Sequence, residues 1–558
     1  MRIIDVADGR EKADLVLRNV RHINVRSGEI EETDIVIADG KIAAIGNGYE
    51  GVEEFDASGL YAAPGFIEGH IHIESSMMTP PYFAKAVVMR GTTTVIADPH
   101  EIANILGVDG IKFMIESSKG LPVDIFFMAP SCVPATRLET SGAEIGADDL
   151  RKLKNMERMI GLAEMMNFPG AYMNVPQVVE KLGIFEIQDG HAPLLRGKHL
   201  NAYISGGIYS DHECTELEEA REKLRLGMHI MIREGTLAKN LDALLPLVTP
   251  ENWPFFSFVS DDRHPSTILE EGHLDGIIRK SLDLGLDLIT AIRLVTINTA
   301  RYFRLFDRDE IVPGKKADVV LFDEKVKVKH VIKDGRWVVK FGVLQGEFEG
   351  GKYEISGKVD VNPNIEVLRI PAKGKKIRVI KIIENSLITK ETIFEAKIEN
   401  GDVISDVDSD VLKISVWERH KSTGNVGVGF VNGFGMHDGA IASTVAHDSH
   451  NIVALGVNEV DIVFAVTRLK EIGGGMVVVR AGRVIAELPL PVAGLMADID
   501  VEPISTLEKA LNESYRSLGG KLKNPFMQLS FLALPVIPEL KITDLGLIKD
   551  FRIVDLFI

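Results

Sequence analysis

Between residues 63 and about 307 the chain repeats one pattern eight times: a short apolar run, a polar or ionisable ending, then an amphipathic stretch. The runs are PGFIEGHIHI, GTTTVIADP, VDIFFMAPSC, MIGLAEMMN, FEIQDGHAP, NAYISGGIYSDHE, MHIMIREGT and PFFSFVSDD. Strands alternating with helices build parallel βα units. Eight such units are what a (β/α)8 barrel needs, and its chemistry sits at the carboxyl ends of the strands. The expected class is therefore α/β.

The chain has 558 residues, more than one hydrophobic core usually serves. Residues 1–62 are short alternating runs separated by hairpin signals such as ADG and NG. The same pattern returns at 308–349, so the barrel of 63–307 is expected to interrupt a small split β-sandwich. Residues 350–558 read as an additional C-terminal α+β domain. It contains HDGAIASTVAHDSHN, a helix-like STLEKALNESYRSLGG, and GGGMVVVRAGR. The last reads as a hairpin rather than a phosphate cradle, because it lacks the Lys-Ser/Thr ending of a P-loop.

Composition excludes several partner classes. A net charge of −18 argues against a nucleic-acid surface. No apolar run approaches the roughly 20 residues needed to span a bilayer, and the first residues lack the apolar core of a secretory signal. Two cysteines, Cys132 and Cys214, make no disulfide framework. The expectation is a cytoplasmic enzyme acting on a small molecule, and a homo-oligomer, dimer or larger.

The strand ends hold the candidate site. His70 and His72 stand two apart, so on a strand they face one side. An HxH pair alone is commonly incidental. The fourth run, however, carries Glu164 among apolar residues, where a lone carboxylate is costly unless paired or bound to a cation. The fifth ends at His191, the sixth at His212, and the eighth at Asp261 and Asp262. Together these are enough ligands for two metal ions, and imidazole with carboxylate suits Zn, Mn or Fe(II). His199 competes with His212 but opens the longer segment KHLNAYISGGIYSDHE, at the stable end of a barrel. Asp261 and Asp262 should point in opposite directions, so one alone faces the metals; alternation does not say which. His100 and Glu101 in DPHE and Glu234 in REGT lie near the mouth and, with Asp262, are candidates to hold a substrate. Glu74, Ser75 and Ser76 read as supports of the first loop. His447, Asp448 and His450 in HDSHN either cap the pocket or bind a further ion.

These motifs resemble the amidohydrolase superfamily, with HxH on the first strand, an acid on the fourth, histidines on the fifth and sixth, and an aspartate on the eighth. Within it, PGFIEGHIHIESSM, GTTTVIADPHEIAN, GLAEMMNFPG, DGHAPLL, SGGIYSDHE, REGT, SDDRHP and the C-terminal HDSHN and GLMAD are similar to the bacterial and archaeal adenine deaminase family. The resemblance spans essentially the whole chain. It implies that His70 and His72 hold one metal, His191 and His212 the second, and that Glu164 bridges where relatives carry a modified lysine. It also picks Asp261, which follows Ser, as the eighth-strand acid. Manganese or ferrous iron is implied, with zinc as an alternative.

The implied reaction is hydrolytic deamination of adenine to hypoxanthine and ammonia in purine salvage. A metal pair lowers the pKa of water from about 15.7 to about 7, and Asp261 and Glu164 are the catalytic carboxylates, with Asp261 shuttling the proton. The signature of the cytidine-type zinc deaminases, H-x-E together with P-C-x-x-C, is absent. Two further readings stand beside this one: an amidohydrolase opening a cyclic amide, such as a dihydropyrimidinase or an imidazolonepropionase, and a non-catalytic relative.

Overall fold

The computed structural model describes residues 1–353, 355, 359–384 and 386–558. Eight parallel strands carry the site: β1 (Phe66–Ile71), β2 (Thr92–Ala97), β3 (Asp124–Ala129), β4 (Met159–Met165), β5 (Gln188–Gly190), β6 (Ser210–Asp211), β7 (His229–Arg233) and β8 (Phe256–Val259). β1 to β5 pair in order as one five-stranded parallel sheet, a half-barrel, and β6 to β8 form a second sheet of three. At one seam the backbone N–H of Asp261 donates to the carbonyl of His70 at 3.0 Å. At the other, Gly190 passes so close to β6 that a Cβ would lie 2.1 Å from the Ser210 carbonyl. Only glycine fits there.

The strands are short and rich in β-branched and aromatic residues, and β1, β2, β4, β7 and β8 are buried nearly throughout. Parallel strands covered on both faces read as such continuous apolar runs. Ile67, Ile96, Met128, Ala163, Met231 and Val259, one from each of six strands, join one cluster, closed by Ala300, Phe303 and Leu305. The neighbouring residues Phe66, Val95, Ile125 and Phe256 belong to a different and larger core, which includes helix residues such as Phe83, Ile111 and Leu274. Helices follow the strands, among them Pro80–Val88, His100–Ser117, Gly197–Ser205 and Leu217–Arg225. Lys223 on the last is buried and paired with Asp211 at 3.0 Å and Glu219 at 2.7 Å, which ties that helix to β6.

One expected strand is largely a helix. NAYIS of the sixth run, with the KHL before it, lies in helix Gly197–Ser205, and β6 keeps two residues. His199 sits on that helix beside Tyr172, with ring centroids 4.3 Å apart, and not at a strand base. The apolar positions Leu200 and Tyr203 fit one helical face as well as a strand, and the glycines Gly206 and Gly207 end the helix rather than bend a strand.

Strands from Ala13 to Pro64 and from Val319 to Leu344 share one nine-stranded sheet, joined where Val319–Phe322 runs antiparallel to Tyr61–Pro64. Further on, an eight-stranded sheet spans Lys376 to Pro489, with helix Glu459–Glu471 packed on it and a three-stranded sheet at Leu540–Val554. GGGMVVVRAGR forms the hairpin Gly475–Arg480 and Arg483–Pro489. No helix among the described residues is long and apolar enough to cross a membrane.

Candidate active site

A cavity at the carboxyl ends of the strands is lined by His72, His100, Glu164, His191, His212, Arg233, Asp261 and Asp262, and roofed from the C-terminal region by Leu387, His447, Asp448, Phe531, Leu534 and Ile537. Its floor begins with the first strand. His70 Nδ1 lies 2.9 Å from the Asp189 carboxylate, and His72 Nδ1 lies 3.0 Å from the Asp98 carbonyl. Such partners fix the ring and leave the other nitrogen for a ligand. His72 Nε2 is 3.3 Å from Glu164 Oε1 and 3.1 Å from Asp261 Oδ1; for His70 Nε2 the distances are 3.9 and 3.6 Å. The second Glu164 oxygen meets His191 Nδ1 at 2.5 Å and His212 Nε2 at 3.3 Å. Glu164 thus stands between the two imidazole pairs.

The donor set fits divalent cations. Among the described residues, His70 Nε2 is buried without a hydrogen-bond partner, and buried polar atoms are seldom left so. Burial pushes the His70 and His72 imidazoles down, but Asp189 and Asp261 at His70, and Asp261 and Glu164 at His72, more than reverse it. Burial would raise Glu164, yet His191 and His212 hold it well below the carboxylate range. Burial lowers His191, and Glu213 and Glu164 lift it to about 9. The cluster therefore balances itself by gathering protons. Bound cations would take their place, since metal binding releases protons from its ligands.

The structure corrects the reading of Asp261 and Asp262 as opposed. Asp261 has φ of 54°, a left-handed conformation that Asp tolerates. That turn breaks the strand alternation, so both carboxylates line the cavity. Asp262 accepts from the Ser75 hydroxyl, and burial together with Asp261 raises its pKa.

Glu234 departs from its expected place. Its carboxylate bonds Lys280 at 2.7 Å and the Leu241 N–H at 3.2 Å, away from the cavity. Alternation explains this, because the preceding Arg233 faces inward. Arg233 bonds Asp261 Oδ2 at 2.6 Å and pairs with Glu213. Burial would raise Asp261, and Arg233 first, with His70 and His72, holds it well below its usual value.

Glu101, expected at a substrate edge, is committed to protein contacts. It accepts from His447 Nδ1 at 2.5 Å and from His450 Nε2. His100 Nδ1 is 2.9 Å from Asp98, and its Nε2 lies 3.4 Å from Glu101. Glu74 accepts from the Ile102 N–H at 3.1 Å and supports the start of that helix. The His447 and His450 loop caps the cavity. The Ala446 N–H donates to His450 Nδ1 at 3.1 Å, so the ring proton sits on Nε2, facing Glu101. Among the described residues nothing hydrogen-bonds the buried Asp448 Oδ2.

Sequence reading missed Arg233, Glu213, Asp98 and Asp189. Each lay inside a motif already singled out, in REGT, SDHE, DPHE and QDGH. The available signal was that buried ligand histidines and acids need partners of their own.

The family profile described as amidohydrolase family matches residues 61–338, and that described as adenine deaminase C-terminal domain matches residues 386–551. The chain is 47% identical over 570 residues to the adenine deaminase of Thermosipho melanesiensis, covering 100% of this chain and 99% of that protein. It is 45% identical over 565 residues to the adenine deaminase of Desulfatibacillum aliphaticivorans, covering 100% and 99%. Against the adenine deaminase of Syntrophobacter fumaroxidans the identity is 46% over 565 residues, covering 100% and 98%.

Proposed function

The chain belongs to the adenine deaminase family, a metal-dependent branch of the amidohydrolases, and on that footing we propose that this cavity hydrolyses adenine to hypoxanthine and ammonia. The chain is a hydrolase acting on C–N bonds. The observation that carries the site reading is the placement of Glu164 within 4 Å of His70, His72, His191 and His212. His70 and His72 would hold one cation, His191 and His212 the other, with Glu164 between them and Asp261 beside the first. When bound, the cations would ionise water at neutral pH.

The residues of the chain do the rest. Asp261, kept ionised by Arg233, takes a proton from the attacking water and returns it to the departing amine. Asp448 offers a buried acceptor for a purine N–H. Phe531, Leu534, Ile537 and Leu387 supply an apolar roof, the kind of surface that packs on a flat heterocycle and sheds water. A cyclic-amide substrate loses support because the roof comes from the region matched by the adenine deaminase C-terminal domain.

Four finer points belong to the same reading. The two sheets form one eight-stranded barrel, supported by the shared inner cluster and the His70–Asp261 seam. Residues 1–62 with 308–349, and 350–558, form the two accessory domains. The metal is manganese or ferrous iron, which hard carboxylates and imidazoles suit. The enzyme is a cytoplasmic homo-oligomer, in keeping with two buried free thiols and with the symmetric assemblies that large metabolic enzymes commonly form.

The test is metal content and adenine turnover before chelation, after it, and after reloading with Mn(II) or Fe(II). Ammonia released in step with lost adenine absorbance, abolished by chelation and restored by reloading, is expected. A metal-loaded enzyme that leaves adenine intact would overturn the proposal.

A further inference from the structure

The cap loop delivers more than shape. We infer that His447 is the acid that protonates N1 of the purine as C6 is attacked, with Glu101 as the residue that orients it. This rests on the deamination reading above.

Three observations carry it. Glu101 accepts from His447 Nδ1 at 2.5 Å, while Nε2 makes no hydrogen bond to any described residue and the side chain lines the cavity. The imidazole lies flat on Phe531, centroids 4.4 Å apart and planes 7° from parallel, so its free nitrogen has a fixed heading. A carboxylate that holds one imidazole nitrogen and leaves the other for proton transfer is the arrangement general acids and bases use.

The competing donors are engaged. His100 has Asp98 on Nδ1 and Glu101 near Nε2. Glu213 is paired with Arg233, and Asp262 is held by Ser75. The groups facing His447 are Glu101 from the helix after β2, Asp262 from the end of β8, and Asp448 and His450 from its own loop. Burial lowers the imidazole, and Glu101 and Asp262 outweigh it, bringing His447 to about 9. It therefore carries its proton at neutral pH.

The protons balance. As the C6–O bond forms, the electron pair of the C6–N1 double bond moves to N1, which takes the Nε2 proton of His447. Asp261 passes the proton it took from water to the exocyclic amine, the C6–N bond breaks and ammonia leaves. The carbonyl forms by loss of the C6 hydroxyl proton, which restores the charge on His447, and hypoxanthine keeps its new proton on N1.

The test is kcat, KM and pH dependence of the metal-loaded full chain, with His447→Gln and Glu101→Gln. His447→Gln should lower kcat by about 100- to 10,000-fold, with KM and metal content little changed. The unsubstituted enzyme should lose kcat as pH rises through about 9, and Glu101→Gln should move that limb down by more than about one pH unit, since a neighbouring carboxylate commonly raises a histidine by that much. A His447→Gln enzyme within about fivefold of the original kcat would overturn the inference, on the same expectation of a far larger loss. So would an alkaline limb that is absent, or one that Glu101→Gln leaves in place. An inert unsubstituted enzyme brings down the deamination reading and this one with it; active enzyme beside an active variant brings down this one alone.

Discussion

Replacing Asp261 by Asn separates metal retention from proton transfer. The side chain keeps its shape, and its Oδ1, 3.1 Å from His72 Nε2 and 3.6 Å from His70 Nε2, becomes an amide oxygen or nitrogen of the same reach. His70, His72, Glu164, His191 and His212 are untouched, so metal content should remain near that of the original enzyme. Arg233 loses a partner at 2.6 Å but keeps Glu213, so no buried charge is abandoned and the fold should hold. The proton acceptor is gone. Loss of a positioned general base costs about 100- to 10,000-fold in rate, which at about 1.36 kcal/mol per decade is about 3–5 kcal/mol on the barrier. The assay is kcat at saturating adenine, followed by absorbance and by ammonia, with metal measured on the same sample. Activity within about threefold of the original at equal metal content would refute the role, because the expected loss is at least about 100-fold.

Arg233→Met should be harsher on the fold, because it strands both Glu213 and Asp261; breaking a buried pair costs about 3–5 kcal/mol, readable as a fall in denaturant midpoint, and kcat should drop with it. Lys223→Met removes the buried ammonium shared by Asp211 and Glu219, and a loss of similar size is expected in thermal or denaturant unfolding. Lys541 is buried, donates to the carbonyls of Leu387 at 2.7 Å and Phe531 at 3.0 Å, and burial pushes it down to about 7 from the ordinary 10.5. Between those values the unfolded chain binds a proton that the folded one does not, so this group makes stability rise with pH there. Lys541→Met should flatten that rise and, by releasing two roof segments, raise KM for adenine; an unchanged pH slope and KM would count against the account.

The side chains that gather in the candidate site were legible in the sequence because they end strands, and strand ends are marked by apolar runs giving way to polar residues. HIH, AEM, DGH, SDH and SDD each announce a candidate ligand locally, and the parallel βα repeat says that these ends meet. The sixth strand was not legible: a two-residue strand leaves almost no periodicity, and the helix before it satisfies the same apolar spacing. The opposed directions expected of Asp261 and Asp262 were misjudged, because one left-handed residue at Asp261 cancels the alternation that any strand argument uses. Glu234 and Arg233 were exchanged in importance, since a motif shows which residues are polar and not which way the strand presents them.

By itself, then, the sequence determined the parallel half of the architecture and the chemical inventory of the site, because local patterning encodes both. Only the tertiary structure decided the partners. Glu101 meets His447 and His450 across more than three hundred residues of chain, and Arg233 clamps Asp261 from a neighbouring strand. Such pairings arise from packing between distant segments, where the need of each buried charge for an opposite one is met by whatever the fold brings alongside.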